Sequence, residues 1–160
     1  IRDNPRMAAL KELLEIITLD NKVIVWCCFK ENYKMIGELC EELKIKAVFI
    51  TGDETAKDKN ESIRLFDEDS SVRVCIANQS AGGVGINLIR ASYSIYYSRG
   101  FKLGDDSQSE SRNHRRGSEI HQKITRINLV AKNSIDGIIS DALARKIDIS
   151  DQILDLTDKL

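Results

Sequence analysis

The residues from Val23 to Phe29 (VIVWCCF) are apolar without a break, a pattern that a helix or strand with one wet face does not produce. The run predicts a strand buried on both faces, and such a strand needs a covering layer on each side. Further strands are predicted at Ala47 to Ile50, at VRVCIA from Val72 to Ala77, at SYSIYYS from Ser92 to Ser98 and at KITRINLVA from Lys123 to Ala131. Helical spacing separates them. Met7, Leu10, Leu13, Leu14 and Ile17 form one stripe, opened by Asn4 as a cap and Pro5. Tyr33, Ile36, Leu39, Cys40 and Leu43 form a second, and Ala56 to Phe66 reads as a third helix packed by its last turns. A fourth helix carries the arginines of Gln108 to Gly117, and a fifth runs from Ser134 to about Lys146 before a tail with Ile153, Leu154 and Leu156. This alternation predicts a single α/β domain: a parallel sheet covered by helices on both faces.

At 160 residues, 42% hydrophobic and 31% charged, the chain has the composition of one globular domain with a real core. A net charge of −1 excludes a surface that coats nucleic acid everywhere and leaves room for a local patch. Arg112, Arg115 and Arg116, with Arg90, Arg99, Lys102, Lys123 and Arg126, could supply one. No apolar stretch reaches membrane-span length, and the start lacks the apolar stretch of a signal peptide, so no membrane partner and an intracellular site are expected. Cys27, Cys28, Cys40 and Cys75 have no CxxC spacing and read as reduced core thiols, with no metal site. Ile1 in place of Met suggests a piece of a longer protein.

In parallel sheets, ligands bind beyond the carboxyl ends of the strands. The loops that gather there are ITGDET, NQSAGGVGINL, SRGFKLGDD and the arginine segment. Gly82, Gly83 and Gly85 allow a backbone to approach a ribose or phosphate closely, or simply make a tight turn. Asn87 adds a fixed amide for hydroxyl recognition. Gln108, Arg112 and Arg115 are spaced QxxxRxxR, so on a helix they share a face and can converge on one anion; the other reading is a solvated charged face. His114, between arginines, reads as a hydrogen-bonding group for a phosphate or a neighbouring lobe. Asp53 and Glu54 imitate an acidic magnesium box, but Thr51 and Gly52 intervene and the pair reads as a turn. No Gly-Lys pair exists, so the chain is not a complete P-loop enzyme, and no nucleophile elbow or paired catalytic carboxylates are visible.

Taken in order, KVIVWCCF, FITGDET, VCIANQSAGGVGINLIRASYSIYYS and QSESRNHRRGSEIHQKITRINLVAKNSID resemble the second RecA-like lobe of Swi/Snf-type ATPases, which are DNA translocases of helicase superfamily two. The resemblance runs from Asn4 to about Leu156 and implies that residues 1–160 are a helicase C-terminal lobe, with 148–160 a short extension. ITGDET is similar to the family's Gly-Ser-Thr loop, which implies that Thr51 and Gly52 lie near the nucleic-acid backbone. NQSAGGVGINL looks like STRAGGLGINL, which implies that Gly83, Gly85 and Asn87 border the nucleotide while Asn78, Gln79 and Ser80 face DNA. QSESRNHRRG looks like QAxxRAHRIGQ, which implies that Gln108 meets the nucleotide region and that Arg112 and Arg115 are arginine fingers. The implied partners are duplex DNA and a P-loop lobe of the same protein, absent from this chain, which would hold most of the ATP and its Mg2+. The lobe alone is expected to be inactive.

Some positions depart from the family's pattern. Ser80 stands where a basic residue is common, Arg116 and Ser118 replace isoleucine and glutamine, and Phe101-Lys102-Leu103 replaces a Trp-Asn-Pro turn. These departures put DNA geometry in question and point to a divergent branch, bacterial or viral (hence cytoplasm or host cytoplasm), apart from chromatin remodellers. Two other functions are compatible with the sequence: a non-catalytic nucleic-acid or protein-binding module that has kept the fold, and a self-contained α/β transferase or nucleotide-binding enzyme that uses the glycine loop but lacks an evident catalytic acid, base or metal set.

Overall fold

The computed structural model describes residues 4–81, 87–100, 109, 112 and 118–131. Its elements are α1 (Pro5–Ile17), β1 (Lys22–Trp26), α2 (Lys30–Glu42), β2 (Lys46–Ile50), α3 (Ala56–Glu68), β3 (Val72–Ala77), β4 (Ala91–Tyr96) and β5 (Thr125–Asn128), with a 3-10 turn at Ser118–Ile120. The helix expected at Ser134 to Lys146 and the 148–160 tail lie outside the described residues, as does most of the arginine segment.

The strands form one sheet in the order β2-β3-β1-β4-β5, and every neighbouring pair is parallel. The strand that is apolar throughout, β1, lies at its centre. Alternate side chains point to opposite faces. Val23, Val25 and Cys27 pack with Leu10, Leu14 and Ile17 of α1 and Tyr33, Ile36 and Leu39 of α2. Ile24 and Trp26 pack on the other face with Phe66 of α3, Val48, Ile50, Cys75 and Tyr96. Helices therefore cover both faces, as the sequence leads one to expect. Among the described residues no helix is long and apolar enough to cross a membrane.

Local chemistry sets the helix ends. The Asn4 side chain accepts a hydrogen bond from Arg6 N at 2.9 Å and Pro5 opens α1. The Thr55 hydroxyl accepts from Asp58 N at the start of α3. Lacking a side-chain cap, α2 has Glu31 in its first turn, where a carboxylate favours the helix dipole.

β1 stops at Trp26 rather than running to Phe29. Phe29 is instead the extended residue before α2 and is 55% exposed. β4 likewise stops at Tyr96, and β5, the last strand of the sheet among the described residues, is shorter at both ends than its apolar run. Cys27, Cys40 and Cys75 are buried free thiols, as expected, and burial pushes Cys40 up to about 12. Cys28 is only half-buried: its amide and thiol both meet the Ser98 hydroxyl, at 3.0 and 3.4 Å. Burial nevertheless raises its pKa, so it is not an activated nucleophile.

Candidate functional site

Because all the strands are parallel, their carboxyl ends share one edge. Ile50 pairs with Ala77, Ala77 with Trp26, Trp26 with Tyr96, and Tyr96 with Asn128, so the five strand ends stand in one row. The loops that leave this row carry the residues singled out in the sequence. Order reverses beside β1, since β3 lies to one side of it and β4 to the other, and a crevice at such a switch point is where open α/β sheets bind ligands.

The loop after β2 closes on itself through Glu54. One carboxylate oxygen accepts from Thr51 N at 3.0 Å and from the Thr51 hydroxyl at 2.6 Å. The other accepts from Thr51 N at 2.9 Å and Gly52 N at 2.8 Å. Partial burial works against the charged form, but these hydrogen bonds outweigh it and hold the Glu54 pKa below its usual value. Gly52 has φ of 96°, and a Cβ there would stand 3.1 Å from the Ala81 Cβ, so only glycine combines this backbone with so close an approach. Lys59 of α3 donates to Ala81 O at 2.8 Å. The β2 loop and the start of the glycine block are thus packed together.

Asn78 turns the chain after β3 by accepting from Ser80 N at 2.9 Å, and Ser80 is exposed. Gln79 between them is 3% exposed and points inward. Its amide donates to the Ser109 hydroxyl at 3.2 Å, and its carbonyl oxygen accepts from Gly100 N at 3.0 Å. Ser109, 1% exposed, also meets the Tyr96 hydroxyl at 3.2 Å. One buried amide therefore joins the glycine block, the loop after β4 and the arginine segment. The Gln79 side chain, expected to face DNA, is instead turned into the lobe, where its amide bonds to two neighbouring loops.

Arg112 is also inside the lobe, at 3% exposure, with its N–H donating to Ser109 O at 3.2 Å and its carbonyl accepting from Leu88 N at 3.1 Å. Asn87, the neighbour of that Leu88, is exposed. Gly83, Gly85, Gln108, His114 and Arg115 lie outside the described residues. Thr51 and Gly52 are at the rim as expected, but their donors are engaged by Glu54.

Sequence reasoning missed Ser109, Tyr96 and Glu54. Tyr96 looked like one more core aromatic of an apolar run, and only the fold shows its hydroxyl reaching Ser109. Arg99 also stacks over the Tyr96 ring at 4.0 Å, and the start of α1 meets the rim through Asn4 Nδ2 and the Tyr97 hydroxyl at 3.1 Å. Replacing Gln79 with Leu should cost about 1–3 kcal/mol, since Gly100 N and Ser109 lose a partner in a place water reaches poorly. A fall in the urea midpoint checks this; an unchanged midpoint would mean that the amide does not hold the loops together.

Residues 5–117 match the family model described as the helicase conserved C-terminal domain. The chain is 30% identical over 150 residues to the ATP-dependent helicase FUN30 of Saccharomyces cerevisiae, covering 92% of this chain and 13% of that protein. It is 26% identical to the transcription regulatory protein SNF2 of the same yeast, over 93% of this chain and 9% of that one. The chain thus spans a small fraction of the length of its curated relatives. A crystal structure of the C-terminal part of the Fun30 ATPase domain superposes with a TM-score of 0.80 at 29% identity, over 87% of this chain and 45% of that one. Relatives in the same range of similarity come from a mycoplasma and from Arabidopsis thaliana, the latter a chromatin-remodeling ATPase, so the expected bacterial or viral branch apart from chromatin remodellers is not supported. The family model, the relatives and the shared fold agree: this chain belongs to the helicase conserved C-terminal domain family, in its Swi/Snf-type branch.

Proposed function

We propose that residues 1–160 form the second motor lobe of a duplex-DNA-dependent ATPase, with 148–160 as a short extension, acting inside the cell. The observation that supports this is the hydrogen bonding of Gln79, in the described start of the glycine block, to Gly100 after β4 and to Ser109 of the arginine segment, beside the Thr51-Gly52 turn. In this reading ATP and its Mg2+ are held mainly by a P-loop lobe of the same protein. Consistent with that division, the sequence contains no P-loop motif. Gly83, Gly85, Asn87 and Gln108 border the nucleotide when the lobes close.

Phosphoryl transfer places negative charge on the transferred group, and an arginine from a second domain can answer it. Arg115 takes that role. Arg112 joins it only after leaving its buried position. On the DNA side, Asn78 and Ser80 face the backbone along with the Thr51-Gly52 turn, while Gln79 positions them from within. Opening and closing of the two lobes on DNA held across both would convert hydrolysis into stepping.

The test is ATP hydrolysis by this chain alone and mixed with the P-loop lobe of its own protein, with and without duplex DNA. Activity is expected only in the mixture, stimulated by DNA. Activity in the chain alone would overturn the two-lobe site, and silence in the mixture would favour a binding module. DNA binding by the chain should fall steeply with salt and show no sequence preference, because it rests on phosphates rather than base edges. Salt-independent binding would contradict it.

A further inference from the structure

The Thr51-Gly52 turn has the form of an anion site that is already filled. Two backbone N–H groups and one hydroxyl converge on a single carboxylate, at 2.6 to 3.0 Å, and that carboxylate comes from Glu54, only two or three residues away in the chain. Convergent amides of this kind suit any compact oxyanion, phosphate included. The turn also has support that does not come from Glu54: Gly52 lies so near Ala81 that an added Cβ would stand 3.1 Å from the Ala81 Cβ, and Lys59 donates to the Ala81 carbonyl. Glu54 is partly exposed and belongs to no ion pair among those described, so a change of its rotamer suffices to vacate the turn. Asp53 beside it is instead engaged by Lys30 at 2.8 Å.

We propose that Glu54 is an internal stand-in for a phosphate: it occupies the Thr51-Gly52 cradle, and a phosphate of bound nucleic acid enters only by displacing it. This rests on the reading of that turn as a DNA contact. A carboxylate and a phosphate cannot share the same three donors, so the carboxylate lowers the apparent affinity by the fraction of time it holds them. Glu54 thereby sets how firmly the lobe grips the backbone.

Inorganic phosphate tests the cradle without DNA. Titrated into the 15N-labelled chain, it should leave the Thr51 and Gly52 amides unmoved in the wild type and shift them saturably in Glu54→Ala and Glu54→Gln. Asp53→Asn removes the neighbouring charge and leaves Glu54 on its donors, so it should behave as wild type. If the Glu54 variants keep their other resonances and still show no shift, or if Asp53→Asn responds equally, the inference is overturned. Duplex DNA, followed by fluorescence anisotropy at fixed salt, should bind Glu54→Ala about tenfold more tightly. Phosphate shifts with unchanged DNA affinity would uphold the filled cradle and overturn the placing of DNA at this turn.

Discussion

Replacing Arg115 with Ala in a preparation that contains both lobes should lower DNA-stimulated ATP hydrolysis by roughly 10³- to 10⁵-fold while leaving the fold intact. The size follows from charge. On the proposed arrangement the transferred group is most negative in the transition state, the P-loop lobe would supply only some of the donors, and the Arg115 guanidinium would supply the remainder. Arg115→Lys should recover little, because a point charge does not reproduce the planar fork. The decisive comparison is kcat in single-turnover conditions against ATP affinity: a finger lowers the first far more than the second. Wild-type kcat in Arg115→Ala would remove the arginine from the chemistry. Arg112→Ala should differ in kind. As the Arg112 side chain is packed inside the lobe at 3% exposure, its removal should reduce stability as well as rate.

The second large effect is on stability. Trp26→Ala should cost about 3–5 kcal/mol, a sizeable part of the roughly 5–15 kcal/mol that holds a domain folded. Trp26 is 1% exposed at the carboxyl end of the central strand, stacked 6.4 Å from the Tyr96 ring, with its indole N–H donating to Ser94 Oγ at 3.4 Å. Its removal opens a cavity directly beneath the rim. Urea unfolding followed by far-ultraviolet circular dichroism measures the loss. The wild type can also be followed by fluorescence, since the chain has 1 tryptophan. A cost below about 1 kcal/mol would show that the rim does not rest on this residue, since even partial collapse of a large aromatic site costs more.

How far the sequence leads depends on the kind of signal. The uninterrupted apolar run from Val23 read as a strand covered on both sides, which its Val23 to Trp26 part is, and the helical stripes of α1 and α2 fell where the structure has them, because burial is a bulk property read from hydrophobic period. The strand ends were less legible. Phe29 and Ser98 continue apolar or strand-like runs, yet at the rim the backbone turns away to make loops, and composition does not record where a hydrogen-bonded ladder stops. The site was legible in its blocks and illegible in its directions. Gln79 sits in a polar stretch that reads as exposed, and its inward turn follows from strand alternation carried past Ala77 into Ser109 and Gly100. Glu54 looked like a turn residue, and it is one; its occupation of the Thr51 and Gly52 donors is a matter of loop conformation.

By itself, then, the sequence determined the parallel α/β class, the helices on both faces, the family and the absence of a P-loop, because these depend on hydrophobic period and on blocks kept in order. Tertiary structure alone decided the strand order β2-β3-β1-β4-β5, the alignment of five strand ends into one rim, the burial of Gln79 and Arg112 and the filling of the Thr51-Gly52 turn by Glu54. The physical reason is that periodicity reports how much of a segment avoids water, whereas a hydrogen-bond partner from a distant part of the chain is chosen only when packing brings the two together.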